Sequence, residues 1–332
     1  MNPSTEADAK PPVVSPLMPN MRARDALDLL LLAALWGASF LFMRIAVPSF
    51  GPMALAEVRV VIAALFLLGL MAARGGGAAL LANARPLAAV GVLNSALPFV
   101  LFSYGTITLT AGFAAILNAA TPLWTALIAW LWLRSRIRPL QWLGLAIGVA
   151  GVGVLTWGKI DFKPGASEFA GTLAIAACLL ATMSYGVAAN LTKRQLAQVD
   201  SLAVATGSQC GAALSLAPLA IIFWPTVMPG GGAWLATITL AIACTGVAYI
   251  LYFRLIARIG AMRAASVTFL IPPFATVWGA MFLGEALTTQ MIAGGAVILA
   301  GIALALGLVG GAKSATVQVG SPGTLDEEPA PR

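Results

Sequence analysis

The chain has 332 residues; 60% of them, about 199, are hydrophobic, and only 19 Lys and Arg and 12 Asp and Glu are present. Charged residues make up 9%, against about 25% in an ordinary soluble domain, and the mean hydropathy is +0.93. So few charges cannot cover a soluble fold of this size, which excludes soluble enzymes, nucleic-acid-binding modules and disordered scaffolds.

A spanning helix needs about 20 apolar residues, so the composition suffices for about ten spans. Residues 1–24 are polar and Pro-rich and read as a disordered cytoplasmic tail, with no small-residue cleavage site behind the first apolar run. Apolar runs then predict spans at 26–47, 52–73, 86–107, 111–133, 139–157, 169–191, 200–223, 234–257, 262–283 and 288–309. Connections as short as PSFGP (48–52) force consecutive helices to be antiparallel neighbours. Residues 310–332 read as a second disordered cytoplasmic tail.

The net charge of +7 is a topology signal. Arg22, Arg24, Arg74, Arg85, Arg134, Arg136, Arg138, Lys193, Arg194, Arg258, Arg263 and Lys313 fall on one set of loops, whereas the other set holds only Lys159 and Lys163. The positive-inside rule puts both termini in the cytoplasm of a multi-pass membrane protein.

A shift of 150 residues aligns 114–151 with 264–301 without a gap, superposing Pro122 on Pro272, Gly144 on Gly294 and Gly151 on Gly301. Each unit holds five spans, so residues 25–158 and 169–309 form two five-helix repeats that enter the membrane from opposite sides. The predicted fold is an all-α membrane protein of ten transmembrane helices in two inverted repeats, a transporter design with its site at the midplane.

The segment 245–305, with TGVAYILYFRLIARIGAMRAASVTFLIPPFATVWGAMFLGEAL, resembles the second half of an EamA-type member of the drug/metabolite transporter (DMT) superfamily. LLAALWGASFLFMRIA at 31–46, a following proline and Arg59 resemble the first half. The resemblance spans residues 27–309 and implies a ten-helix transporter; bacterial members include amino-acid exporters such as the YddG-like aromatic exporters. One departure stands out. Where the family repeats LGE at the end of the fourth span, this chain has Leu133-Arg134-Ser135.

No histidine is present, and Cys178, Cys210 and Cys244 lie singly in apolar runs, so neither a metal site nor a disulfide framework is expected. RGGGAALL at 74–81 lacks the Gly-Lys-Ser/Thr of a phosphate loop. No cofactor and no nucleic-acid partner is expected. The partners are the lipid bilayer and a small-molecule substrate, with a proton gradient as candidate energy source and the chain a monomer or homodimer.

Charges inside spans are costly and therefore functional candidates. Arg44, Glu57 and Arg59 cluster near the outer face, and Glu57 is expected to pair with Arg44 while Arg59 points elsewhere. Either they attract a substrate carboxylate or carry a proton, or they form a structural ion pair at the rim. Glu285 in LGEALT reads as a helix cap or interfacial residue. A substrate cavity is expected to be lined by Trp36, Ser39, Asn94, Asn118, Thr121, Tyr185, Gln209, Tyr249, Tyr252 and Thr268, with helix breaks at Pro98, Pro122, Pro272 and Pro273. The competing reading of each polar residue is an interhelical hydrogen bond. Gly144, Gly148, Gly151, Gly294, Gly295 and Gly301 offer small faces for packing inside the bundle. The expected function is export of small metabolites, amino acids foremost (neutral or aromatic), with efflux of hydrophobic drugs as the alternative.

Overall fold

The computed structural model describes residues 23–74, 77–134, 139–156, 167–259 and 266–305. Both predicted tails beyond these bounds, the loop with Lys159, Asp161 and Lys163, and Trp157, Arg136, Arg138 and Arg263 lie outside the described residues. Among the described residues six helices are long and apolar enough to cross a membrane, and the first, Ala23–Ala72, is 50 residues long. At about 1.5 Å per residue it would reach about 75 Å, far beyond a hydrocarbon core of about 30 Å. It therefore turns back at Gly51, whose φ of 72° and ψ of 164° a side chain would resist, between Pro48 and Pro52. The first span is thus 23–50 and the second 52–72. The third (Ala84–Thr108), fourth (Ala111–Trp132), sixth (Glu168–Gln195), seventh (Ser201–Ile222) and eighth (from Gly231) follow, and the shorter apolar helices Pro139–Leu155, Val267–Leu283 and Thr289–Ala305 supply the fifth, ninth and tenth.

The 150-residue repeat reaches the backbone. The second halves of spans four and nine begin at Thr121 and Ile271, and spans five and ten begin at Pro139 and Thr289. Arg134 and Gly284, matching positions, both end their helices in the left-handed conformation (φ 50° and 64°). The turn has survived in the first half although the LGE residues have not, with Arg134 tolerating a φ that ordinarily favours glycine.

Spans five and ten pack antiparallel, as inversion requires. Gln141, early in span five, donates to Ala305 O at 3.0 Å, while Gln290, early in span ten, donates to Leu155 O at 3.0 Å. Each glutamine satisfies carbonyls that the other helix's C-terminus leaves open. Between these ends the two glycine faces meet: a Cβ on Gly151 would lie 2.6 Å from Ile298 N, and one on Gly294 2.7 Å from Leu155 Cβ. The same symmetry joins one repeat to the other. Gly37 of span one is pressed on Phe274 and Ala275 of span nine, and Gly186 of span six on Trp124 and Thr125 of span four.

Because the obstacle at Gly151 is backbone, it cannot swing aside. Gly151→Leu is expected to cost about 1–3 kcal/mol by overpacking and to lower the thermal unfolding midpoint in detergent. Gly153→Leu on the same helix, where nothing lies within 4 Å of an added Cβ, is expected to leave it unchanged. Equal effects of the two would refute the packing of span five on span ten.

Candidate functional site

The third and eighth spans each contain a π-helical turn, Val92–Ala96 and Ile242–Val247, again 150 residues apart. A wide turn breaks the regular hydrogen-bond ladder, and in hydrocarbon the released carbonyls need other donors. Ser184 of span six donates to Leu93 O at 2.7 Å, and Thr245 donates to Leu240 O at 3.0 Å. Pro98 accounts for the first bulge, because its ring crowds the carbonyl of residue 94 and it has no N–H to give. The eighth span has Ala248 at the corresponding place, so sequence offers no proline signal there.

Between the two bulges the polar side chains converge. Asn94 donates to the Tyr249 hydroxyl at 3.2 Å, and Gln209 of span seven donates to Ser95 Oγ at 2.8 Å. Arg59 reaches across from span two: its Nε donates to Thr245 Oγ1 at 3.0 Å, its Nη1 lies 3.7 Å from Met43 Sδ, and its guanidinium carbon lies 3.5 Å from the centre of the Phe99 ring. Such a cation over an aromatic face is favourable, more so away from water. Tyr185 stacks on Phe102 beside it, with centroids 6.1 Å apart and planes at 25°.

Arg59 is 6% exposed and stands eight residues past the turn at Gly51, about 12 Å along the helix. It therefore stands deeper than the outer-face cluster expected of it, and among the described residues it joins no ion pair at the rim.

The remaining predicted lining residues fall at three further places. Trp36 and Tyr252 pack together with centroids 5.2 Å apart, and the Ser39 hydroxyl lies 3.5 Å from Leu35 O on its own helix. Span four breaks after Asn118, where Thr121 donates to Asn118 O at 2.8 Å, and span nine breaks after the short turn Ser266–Phe269 that carries Thr268. Pro122 and Pro272, with Pro273 after it, sit in the first turn of the half-helices that resume. There the missing N–H costs nothing.

The expected pairing of Arg44 with Glu57 does not occur. Arg44 Nε donates to Glu285 Oε1 at 2.5 Å and Arg44 Nη1 to Thr106 O at 3.2 Å, while Glu285 Oε2 accepts the Ala111 N–H at 2.8 Å. The physical reason is the helix ends. Arg44 meets the exposed carbonyls closing span three, Glu285 meets the exposed N–H groups opening span four, and each charge complements the local dipole. Sequence reasoning weighed Glu57 because it is near in sequence and missed a carboxylate 241 residues away. Glu57 is left with its Oε2 buried and without a hydrogen-bond partner. At the other membrane face, Arg258 of span eight bridges to Asp25 at 3.0 Å and to Asp28 of span one.

Ten antiparallel helices in two inverted halves, with discontinuous spans meeting around a buried polar and aromatic centre, define a membrane transporter. The chain belongs to the EamA-like transporter family, which matches residues 26–157 and again 172–307. It is therefore a transporter of small molecules and not an enzyme. It is 28% identical over 303 residues to the uncharacterized inner membrane transporter YedA of Escherichia coli (strain K12), covering 86% of this chain and 94% of that one. It is 26% identical over 281 residues to the probable terminal-alkyne amino-acid exporter of Streptantibioticus cattleyicolor, covering 83% and 91%. Over 145 residues it is 34% identical to the aromatic amino acid exporter YddG of Ancylobacter novellus, 40% of this chain and 49% of that protein.

Removing one member of a buried ion pair strands the other, typically at about 3–5 kcal/mol. Glu285→Gln is expected to lower the thermal unfolding midpoint in detergent by several degrees, and the double variant Arg44→Met/Glu285→Leu to recover much of the loss. Additive losses in the double variant would show that the two side chains are not coupled.

Proposed function

We propose that this transporter exports small metabolites, foremost amino acids with neutral or aromatic side chains, across a bacterial inner membrane by alternating access. The observation that carries the reading is the pair of symmetric bulges, Val92–Ala96 and Ile242–Val247, midway along their spans, with Asn94, Ser95, Thr245 and Tyr249 in or beside them. Irregular backbone at that depth is tolerated where it lines a cavity or is served by neighbours, and inverted repeats can exchange their conformations around a fixed central site. Two relatives named as amino-acid exporters support the substrate class. The aromatic rings Trp36, Tyr185, Tyr249 and Tyr252 suit a flat or apolar side chain, and Asn118, Thr121, Gln209 and Thr268 supply further polar groups near it. The lysines and arginines on one set of loops support cytoplasmic termini.

The sequence carries no phosphate-loop motif, and a gradient or a partner is the candidate energy source. Within span two, Glu57, buried at one oxygen and unpaired, is the candidate proton carrier. The alternative reading, efflux of hydrophobic compounds, is favoured by the aromatic walls, but it leaves the buried cation at Arg59 without a use.

In proteoliposomes, labelled L-phenylalanine or L-threonine is expected to move saturably and to exchange with unlabelled amino acid. Absence of saturable transport for every amino acid would overturn the reading. Glu57→Gln is expected to abolish the response to an imposed pH gradient and to preserve exchange; an unaltered pH response would remove Glu57 from coupling.

A further inference from the structure

We infer that Arg59 is the anchor for a substrate carboxylate, so that the central site takes organic monocarboxylates with an apolar or aromatic body. The inference deepens the export reading above and rests on it for the location of the site, but it names the group recognised.

A buried cation is expensive unless it is paired or hydrogen-bonded, and ionisable groups inside a membrane normally find each other. The chain has 12 acidic residues to offer. Asp25 and Asp28 are taken by Arg258, and Glu285 by Arg44. Asp200 caps the helix that follows it by accepting the Leu202 and Ala203 N–H groups. Glu168 stands exposed in the first turn of span six. Glu57, two residues from Arg59, leaves the helix in a different direction and makes no ion pair. The other acids, at 6, 8, 161 and 326–328, lie outside the described residues in segments beyond the spans. Among the described residues, then, no carboxylate lies within ion-pair distance of Arg59.

What does touch Arg59 holds it in place without neutralising it. Thr245, itself in the bulge of span eight, fixes Nε; the Phe99 ring carries the planar face; and Met43 offers Nη1 only a thioether, a weak acceptor. Nη2 makes no hydrogen bond to any described residue. A guanidinium pinned at Nε and along its face, with its terminal nitrogens undersupplied, suits two parallel hydrogen bonds to a carboxylate. The neighbours of that fork are the rings of Phe99, Phe102 and Tyr185, which set the apolar character of the rest of the ligand. Tyr249 and Asn94 beside them offer neutral oxygen atoms to an ammonium or hydroxyl.

The test compares four probes by thermal shift in detergent and by competition with labelled L-phenylalanine in proteoliposomes: L-phenylalanine, L-phenylalaninamide, phenethylamine and 3-phenylpropionate. The two carboxylates are expected to bind at least tenfold more tightly than the two compounds without one, the size of a charge-assisted hydrogen bond lost. Arg59→Met is expected to abolish that preference while leaving the unfolding midpoint the same or higher, since it removes an unpaired buried charge. Arg59→Lys, which keeps charge but loses the fork, is expected to fall between. Equal binding of L-phenylalanine and its amide to the wild-type protein would overturn the inference, whatever the variants do, and would leave amino-acid export standing. Binding of 3-phenylpropionate without binding or transport of any amino acid would sustain Arg59 as the anchor and overturn the export reading instead. Retained carboxylate preference in a folded Arg59→Met variant would also overturn the inference.

Discussion

A backbone that leaves the α-helix inside a bilayer must still hydrogen-bond its carbonyls and amides, because hydrocarbon offers no substitute. This chain accepts that constraint at two pairs of places, the bulges of spans three and eight and the breaks of spans four and nine. At each the repair is local and specific: Ser184 for Leu93 O, Thr245 for Leu240 O, Thr121 for Asn118 O. The irregular turns are thereby kept where the two repeats meet, and the polar groups that serve them become the walls of the candidate site. Thr245 acts twice, accepting from Arg59 while donating to its own helix.

Charge follows the same economy. Two ionic clusters tie the repeats together at opposite membrane faces, Arg44 with Glu285 at one and Arg258 with Asp25 and Asp28 at the other. The first also closes two helix ends, so its stabilisation does not rest on Coulomb attraction alone. Any alternation of access that separates span one from spans eight and nine must strain or break one of these clusters. Against these paired charges, Arg59 stands apart: it is the most buried cation among the described residues and faces neutral groups.

Much of this architecture was legible in the sequence. Ten spans followed from apolar runs, inversion from an odd number of spans per repeat, and the paired breaks from Pro122 and Pro272 in fixed register. Those features are periodic and local, which is the kind of information a linear pattern carries. The bulge in span eight was not legible, since Ala248 stands where span three has Pro98, and only its twin announces it. Nor was the partner of Arg44, because nearness in the chain favoured Glu57 and the true contact depends on two helix ends meeting across the repeats. Arg59 was seen as a charge of interest, yet its depth and its isolation from every carboxylate described appear only once the neighbours of span two are known. The departure at Arg134 reads differently too: the residue type has changed, but the left-handed turn it occupies matches Gly284.

The central claim is that substrate binds between the two bulges with an acidic group on Arg59. An experimental structure of the full-length protein in lipid nanodiscs with 3-phenylpropionate or L-phenylalanine bound tests it directly. The account predicts the carboxylate within hydrogen-bond distance of the Arg59 terminal nitrogens, with the ring against Phe99, Phe102 or Tyr185. A ligand seated instead beside Arg44 and Glu285, or with its carboxylate turned away from Arg59, would contradict it.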